Sequence, residues 1–240
     1  MNNLKIAFVI VTFQTSKKEI WRLKGELESL SFPPNKTIYF IDNTRNNKGY
    51  AAGVNKGIKQ ALAKKADIIF ICNPDISLSG LNSSDLLAVF DHFDIAGYAF
   101  KQRGATYYGG VLDKKLLSGG LNNLKPAKRF YRCDFVSGSL MGIKREVIEK
   151  IGLCDESYFL YYEDVDYCLR AKKSGFRVGI DSRVCYSHEE TSADNPQKAL
   201  YLARNHQRIL AKYGTLYQKI YGFAGKLSQF VKSLLYEDRS

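Results

Sequence analysis

Within its first 72 residues the chain alternates apolar runs with amphipathic segments, and few folds accept that alternation. Residues 5–13, KIAFVIVTF, form a continuous β-branched and aromatic run of the kind found in strands buried on both faces. Ser16 and Glu19 then fit a capping box, and Ile20, Leu23, Leu27 and Leu30 follow at helical spacing until Pro33-Pro34. Residues 37–41, TIYFI, read as a second strand. A glycine-bearing turn and a helix reaching about Lys64 follow, and residues 67–72, DIIFIC, read as a third strand. This rhythm predicts an α/β fold, a mostly parallel sheet covered by helices.

The second half is less regular. A helix is expected at 85–93, short strands at 95–100 and 106–112, a loop over 113–128 rich in Gly, Asn and Lys, and a strand at 130–136. A short helix closed by Gly152, a helix from about Glu163 to Gly175, two late strands at 177–180 and 183–187, and a helix over 195–214 complete the pattern.

Composition narrows the partners. With 36 Lys and Arg against 24 Asp and Glu, the net charge of +12 suits an anionic partner: nucleotide phosphates, nucleic acid or an acidic membrane surface. No helix-turn-helix, RNA-recognition or zinc-finger pattern accompanies it, so no nucleic-acid partner is expected. The five cysteines lack metal-site spacing and read as reduced, buried residues of a cytoplasmic protein. The apolar run at 6–11 is too short for a signal-peptide core, and no stretch reaches the length of a membrane span.

In open α/β sheets ligands gather beyond the carboxyl ends of the strands. Four polar stretches fall there: Thr12-Phe13; Asp42-Asn43; NNKGYAAGVNKG at 46–57, with Asn47, Gly53 and Asn55; and NPD at 73–75. Each alone is ordinary turn chemistry. Together they look like one nucleotide site, in which small residues admit phosphates, Asn and Asp read ribose and base edges, and Asp75 can hold a divalent metal. The spacing matches neither GxGxxG nor a P-loop.

A second constellation is acidic. Residues 158–166, YFLYYEDVD, place Glu163, Asp164 and Asp166 within four positions, just after four aromatic residues. A helix start accounts for one or two such acids through the macrodipole. Aromatic surroundings that raise a carboxyl pKa account for a general base. His188, at the end of the last strand, is a candidate ligand.

These motifs, in this order, together with FVSGSLMG at 135–142 and YLARN at 201–205, resemble the family 2 glycosyltransferases of GT-A fold, nearest to the rhamnosyltransferase-like branch that builds bacterial cell-surface polysaccharides. The resemblance runs from about residue 5 to about 213. It implies inverting transfer from a nucleotide-diphosphate sugar to a hydroxyl of a glycan or lipid-linked acceptor, with Mg²⁺ or Mn²⁺. It implies nucleotide contacts at Thr12 and Asp42, metal binding through the Asn73–Asp75 pair and His188, Asp164 as the base with Glu163 and Asp166 beside it, and a helix motif at Arg204-Asn205, of which Arg204 is assigned to the donor. Between Asn43 and Asn47 the chain is much shorter than the family pattern, which leaves the base of the donor open. A catalytically silent nucleotide-sugar binder, a basic nucleic-acid-binding protein and a nucleotidyltransferase are the competing readings; the first is opposed by Asp75 and Asp164, the second by the lack of a recognition motif, the third by the lack of an early phosphate loop.

Residues 215–240 follow as a separate tail beyond a 1–214 catalytic domain. Leu216, Ile220, Phe223, Leu227, Phe230 and Leu234 mark one face of an amphipathic helix with lysines off the stripe. It is expected to pack on the protein or to lie on the anionic inner face of a membrane.

Overall fold

The computed structural model describes residues 4–32, 36–190 and 197–222. In chain order the elements are β1 (Ile6–Thr12), α1 (Lys17–Ser29), β2 (Lys36–Asp42), α2 (Tyr50–Ala63), β3 (Ile68–Cys72), β4 (Ile76–Ser77), α3 (Ser83–Ala88), β5 (Ile95–Gln102), β6 (Ala105–Tyr107), β7 (Gly110–Leu112), β8 (Gly119–Leu121), β9 (Phe130–Arg132), β10 (Leu140–Lys144), α4 (Arg145–Ile151), α5 (Glu163–Lys173), β11 (Val178–His188) and α6 (Lys198–Tyr213).

The central sheet runs β2-β1-β3-β10-β5-β11-β4, with β6 against β5 and β9 against β11. Strands β2, β1 and β3 are parallel, as are β5 and β11, while β10 lies between the two groups and runs antiparallel to both. Strand alternation divides the core. Ala7, Val9 and Val11 of β1 face one way, toward Val54 and Ile58 of α2, Val147 of α4, Tyr167 of α5 and Ile209 of α6. Ile6, Phe8 and Ile10 face the other way, toward Leu23 and Leu27 of α1 and Leu86 of α3. Both sides of β1 are therefore covered, which is why its sequence is apolar at every position.

The Ser16–Glu19 capping box is present, with Ser16 Oγ accepting from Glu19 N at 3.2 Å and Ser16 N donating to Glu19 Oε2 at 3.1 Å. Four expectations shift. Residues 85–93 begin as α3 and tighten into a 3-10 turn at Val89–Asp91. The expected loop at 113–128 contains β8, which pairs with β7 as a separate hairpin; its two glycines carry no apolar alternation to announce a strand. The strand expected to reach residue 136 ends at Arg132, and the two late strands are one, β11, with an irregularity between Asp181 and Cys185. Pro33-Pro34, Asn195-Pro196 and the tail beyond 222 lie outside the described residues; 216–222 is helical.

Candidate active site

The sheet delivers one edge. Strands β1, β2, β3 and β11 all end there, and β10, running the other way, begins there, because Leu140 pairs with Cys72 at the end of β3. A cavity of about 370 Å³ opens at this edge, bounded by Tyr50, Asn73, Gly138, Asp164, His188 and Lys198, with Leu121 of β8 and Leu202 of α6 on its apolar side.

Asp164 is the best-held group in it. Its Oδ2 accepts from Gly138 N at 2.9 Å and its Oδ1 from Val165 N at 2.8 Å. Glu163 lies beside it, buried, with Oε2 lacking a hydrogen-bond partner among the described residues. Burial, then the Asp164 charge, pushes the Glu163 carboxyl up; burial raises Asp164 also, against the pull of its N–H donors. Burial and the Asp164 charge favour the protonated form of Glu163, while the backbone N–H groups of Gly138 and Val165 favour the anion of Asp164.

The turn before α5 sets their direction. Tyr161 and Tyr162 both hold left-handed backbone (φ 67° and 71°), unusual for large residues. Asn205 of α6, itself buried, holds that turn: its Nδ2 donates to Leu160 O at 2.8 Å and Tyr161 O at 2.9 Å. Gly49 supports it from below. Its φ of 97° and the approach of Phe159 O to within 2.7 Å of a built Cβ leave room only for glycine, and Tyr50 N donates to Phe159 O at 2.7 Å.

At the other wall, β4 pairs with the end of β11, His188 opposite Ile76, which brings Asp75 Oδ1 to 3.3 Å from His188 Nε2. Both side chains are buried, and His188 Nδ1 has no hydrogen-bond partner among the described residues. Among those residues no three or more His, Cys, Asp or Glu side chains gather for a metal. A carboxylate oxygen and an imidazole nitrogen about 3 Å apart nevertheless fit two adjacent positions around one hard divalent cation, with oxygens of a bound ligand completing the shell. Asn73 adjoins them, its Oδ1 accepting from Tyr50 OH at 2.8 Å; that hydroxyl also donates to Gly138 O at 3.2 Å.

The sequence candidates divide. Asn73, Glu163, Asp164 and His188 line the cavity, with Asp75 behind His188. Thr12, Phe13, Asp42 and Asn43 lie farther along the same edge. Thr12 is buried, Phe13 is 49% exposed, and Asp42 is exposed, its carboxyl held below the usual range by hydrogen bonds from Thr44. Asn43 and Asn47 brace the turn into α2: Asn43 Nδ2 donates to Gly49 O at 3.0 Å and Asn47 Oδ1 accepts from Gly49 N at 2.9 Å.

Four candidates are corrected. Asp166 is fully buried and turned away from the cavity, bonded to Arg170 Nε at 2.9 Å, Lys212 Nζ at 2.7 Å and Tyr213 OH at 2.6 Å; it fastens α5 to α6. Asn55, also buried, bonds Cys154 O and Glu156 Oε1, each at 2.9 Å, and so ties α2 to the loop before the acidic turn. Gly53 serves close packing rather than phosphate approach: a Cβ there would meet Val11 and Asn43 Nδ2 at 2.7 Å. Arg204 is exposed on α6, whereas its neighbour Asn205 is the residue that reaches the acidic turn. The sequence reading missed Tyr50, Gly138, Glu190 and Lys198; Tyr50 and Gly138 stood inside motifs already singled out.

Solved structures share this fold. GalNAc-T7 with UDP, GalNAc and Mn²⁺ superposes with a TM-score of 0.67 at 13% identity, over 94% of this chain and 51% of that one. The mannosyltransferase PcManGT from Pyrobaculum calidifontis, in complex with GDP-Man and Mn²⁺, gives 0.61 at 12% identity, over 88% and 65%. The fold is GT-A. No family model matches the chain. Curated relatives of this GT-A chain include the low-salt glycan biosynthesis hexosyltransferase Agl10 of Haloferax volcanii, 28% identical over 159 residues, 59% of this chain and 48% of the relative. The dTDP-rhamnosyl transferase RfbF of Shigella flexneri is 26% identical over 202 residues, 74% and 67%. An N-acetylglucosaminyl-diphospho-decaprenol L-rhamnosyltransferase of Mycobacterium tuberculosis is 25% identical over 195 residues, 68% and 63%. The GT-A chain thus spans about half to two thirds of the length of these relatives.

Proposed function

We propose that the chain is an inverting glycosyltransferase that moves a sugar, rhamnose or a similar hexose, from a nucleotide-diphosphate donor to a hydroxyl of a glycan or lipid-linked acceptor. The observation that carries the reading is Asp164: a carboxylate fixed by two N–H donors, raised in pKa by burial, and facing the same cavity as Asn73 and His188. Inverting transfer needs a base that removes the acceptor proton as the new bond forms. Asp164 has the basicity and fixed direction for that. Protonated Glu163 keeps a second negative charge away from it at neutral pH. Tyr50, bonded to both Asn73 and Gly138, ties the donor side of the cavity to the strand start that holds Asp164.

Asp75 and His188, with Asn73 beside them, would hold Mg²⁺ or Mn²⁺, and the ion supplies charge neutralisation for the departing diphosphate. The Mn²⁺ bound in two structural neighbours supports a divalent cofactor. The dTDP-rhamnose and decaprenol in the names of relatives support a deoxysugar donor and a lipid-linked acceptor. Residues 1–214 form the catalytic unit, and the tail brings it to the inner face of a membrane. No helix among the described residues is long and apolar enough to cross one, and Leu216, Tyr217, Ile220 and Tyr221 stand exposed at the start of the tail.

The test is release of nucleoside diphosphate from a panel of nucleotide-sugars with Mg²⁺ or Mn²⁺ and membrane-extracted acceptors. Release from one donor, abolished by Asp164→Asn, is expected; no release from any donor overturns the proposal.

A further inference from the structure

Glu190, two residues past His188, is held in left-handed backbone (φ 49°), a conformation that strains a non-glycine residue. Its carboxylate accepts from Gln102 Nε2 and pairs with Lys198 Nζ, and Arg103 Nε lies 3.6 Å away. Lys198 opens α6, and its ammonium also sits 5.7 Å over the Tyr161 ring, beside the turn that aims Asp164. Lys198 and Glu190 line the same cavity as Asn73, Asp164 and His188.

The charges of that lining are lopsided. Among the described residues that bound the cavity, Asp164 and Glu190 carry negative charge, Glu163 is held neutral by burial, and Lys198 is the permanent cation. A nucleoside diphosphate brings further negative charge and meets unfavourable potential from the carboxylates unless a cation turns toward it. The Lys198 ammonium is a compact charge on a flexible stem, suited to exchanging one anionic oxygen for another. The positive end of the 16-residue helix it begins adds to the attraction.

We propose that Lys198 binds the donor's diphosphate, leaving Glu190 for a phosphate oxygen, and that Glu190 is the counter-ion that keeps the lysine in place until then. The proposal rests on the sugar-transfer reading and adds a residue to it. Once Lys198 leaves, Gln102 and Arg103 still satisfy Glu190, so the exchange strands no buried charge.

Calorimetric titration of UDP, dTDP and GDP, each with Mn²⁺, tests it on the full chain and on Lys198→Met, Lys198→Arg and Glu190→Gln. Thermal melts serve as a fold control. The diphosphate that binds wild type best is expected to bind Lys198→Met about 10–100-fold more weakly, the range for one charge-assisted hydrogen bond. Lys198→Arg should keep most of the affinity, and Glu190→Gln should bind at least as tightly as wild type. Lys198→Met binding within twofold of wild type overturns the assignment, and weak binding by Glu190→Gln overturns the storage role of Glu190. If wild type binds none of the three, the sugar-transfer reading fails, a result distinct from either.

Discussion

Replacing Glu163 by Gln removes a titration that the fold resists. The Glu163 carboxyl is raised from 4.5 to about 8, mainly by burial and then by Asp164. A group whose folded pKa lies above its unfolded one binds more protons in the folded state, so stability falls as pH climbs through the interval between them. Here that interval is 4.5 to about 8. At about 1.4 kcal/mol per unit, wild type should lose roughly 3–4 kcal/mol between pH 5 and 8.5 from this group alone. Gln keeps the shape and does not ionise. Its fixed cost, a buried amide without a partner, is the same at every pH and resembles that of the protonated acid. The assay is urea denaturation of both proteins at half-unit steps from pH 5 to 9. The stability difference, Glu163→Gln minus wild type, should grow by that amount and level off near pH 8.5. A difference constant to within about 0.5 kcal/mol would refute the placement of the proton on Glu163. Asp164 titrates in both proteins and cancels to first order.

Other outcomes follow from the same geometry. Asp164→Asn should lower transfer by about 10²–10⁴ while nucleotide binding persists, read as a fall in kcat with little change in donor affinity. Transfer should also fail on the acid side as Asp164 takes up a proton, at a pH above the usual carboxylate range, and Glu163→Gln should leave that limb in place because Glu163 is already neutral there, measurable in a pH–rate profile. Activity should vanish after EDTA treatment and return with Mn²⁺ or Mg²⁺, and Asp75→Ala should abolish the return; undiminished activity in EDTA would exclude a metal role. Gly49→Ala should destabilise by about 1–3 kcal/mol through its positive φ and its contact with Phe159, seen as a lower denaturation midpoint. Full-length chain should sediment with anionic vesicles at low salt, and a chain ending at Gly214 should stay in the supernatant.

The sheet and its helices were legible because their signals are local: apolar runs at β1, β2 and β3, the Ser16–Glu19 box, the acids opening α5. The β7–β8 hairpin was not, because Gly119 and Gly120 carry no pattern, and its strand pairing is backbone only. The candidate site was legible as a set of strand ends but not as a set of directions. Two of the corrected residues were readable from helical phase. Asn55 lies four after Ala51 and three before Ile58, on the buried stripe of α2. Asp166 is about 200° around α5 from Asp164, so one cannot face the cavity when the other does. Likewise Asn205, four before Ile209, belongs to the packed face of α6, and Arg204 does not. Lys198 offered no such signal, since only the return of α6 to the sheet edge brings it to the cavity, whereas Glu190 stands two residues past the end of β11.

The reversed strand β10 has a consequence for how such a chain can change. The two residues just before it touch both sides of the cavity: Ser139 O accepts from Asn73 N at 2.9 Å, and Gly138 N donates to Asp164 at 2.9 Å. Asn73 and Asp164 are thereby riveted to one backbone segment at the entrance to β10. The hairpin β7–β8 and the first turns of α6, which close the opposite side of the cavity, carry no part of that rivet. Lengthening, shortening or resequencing the hairpin exchanges the wall an acceptor would meet while the interval between Asn73 and Asp164 stays constant, so a new specificity can arise without the reaction having to be rebuilt.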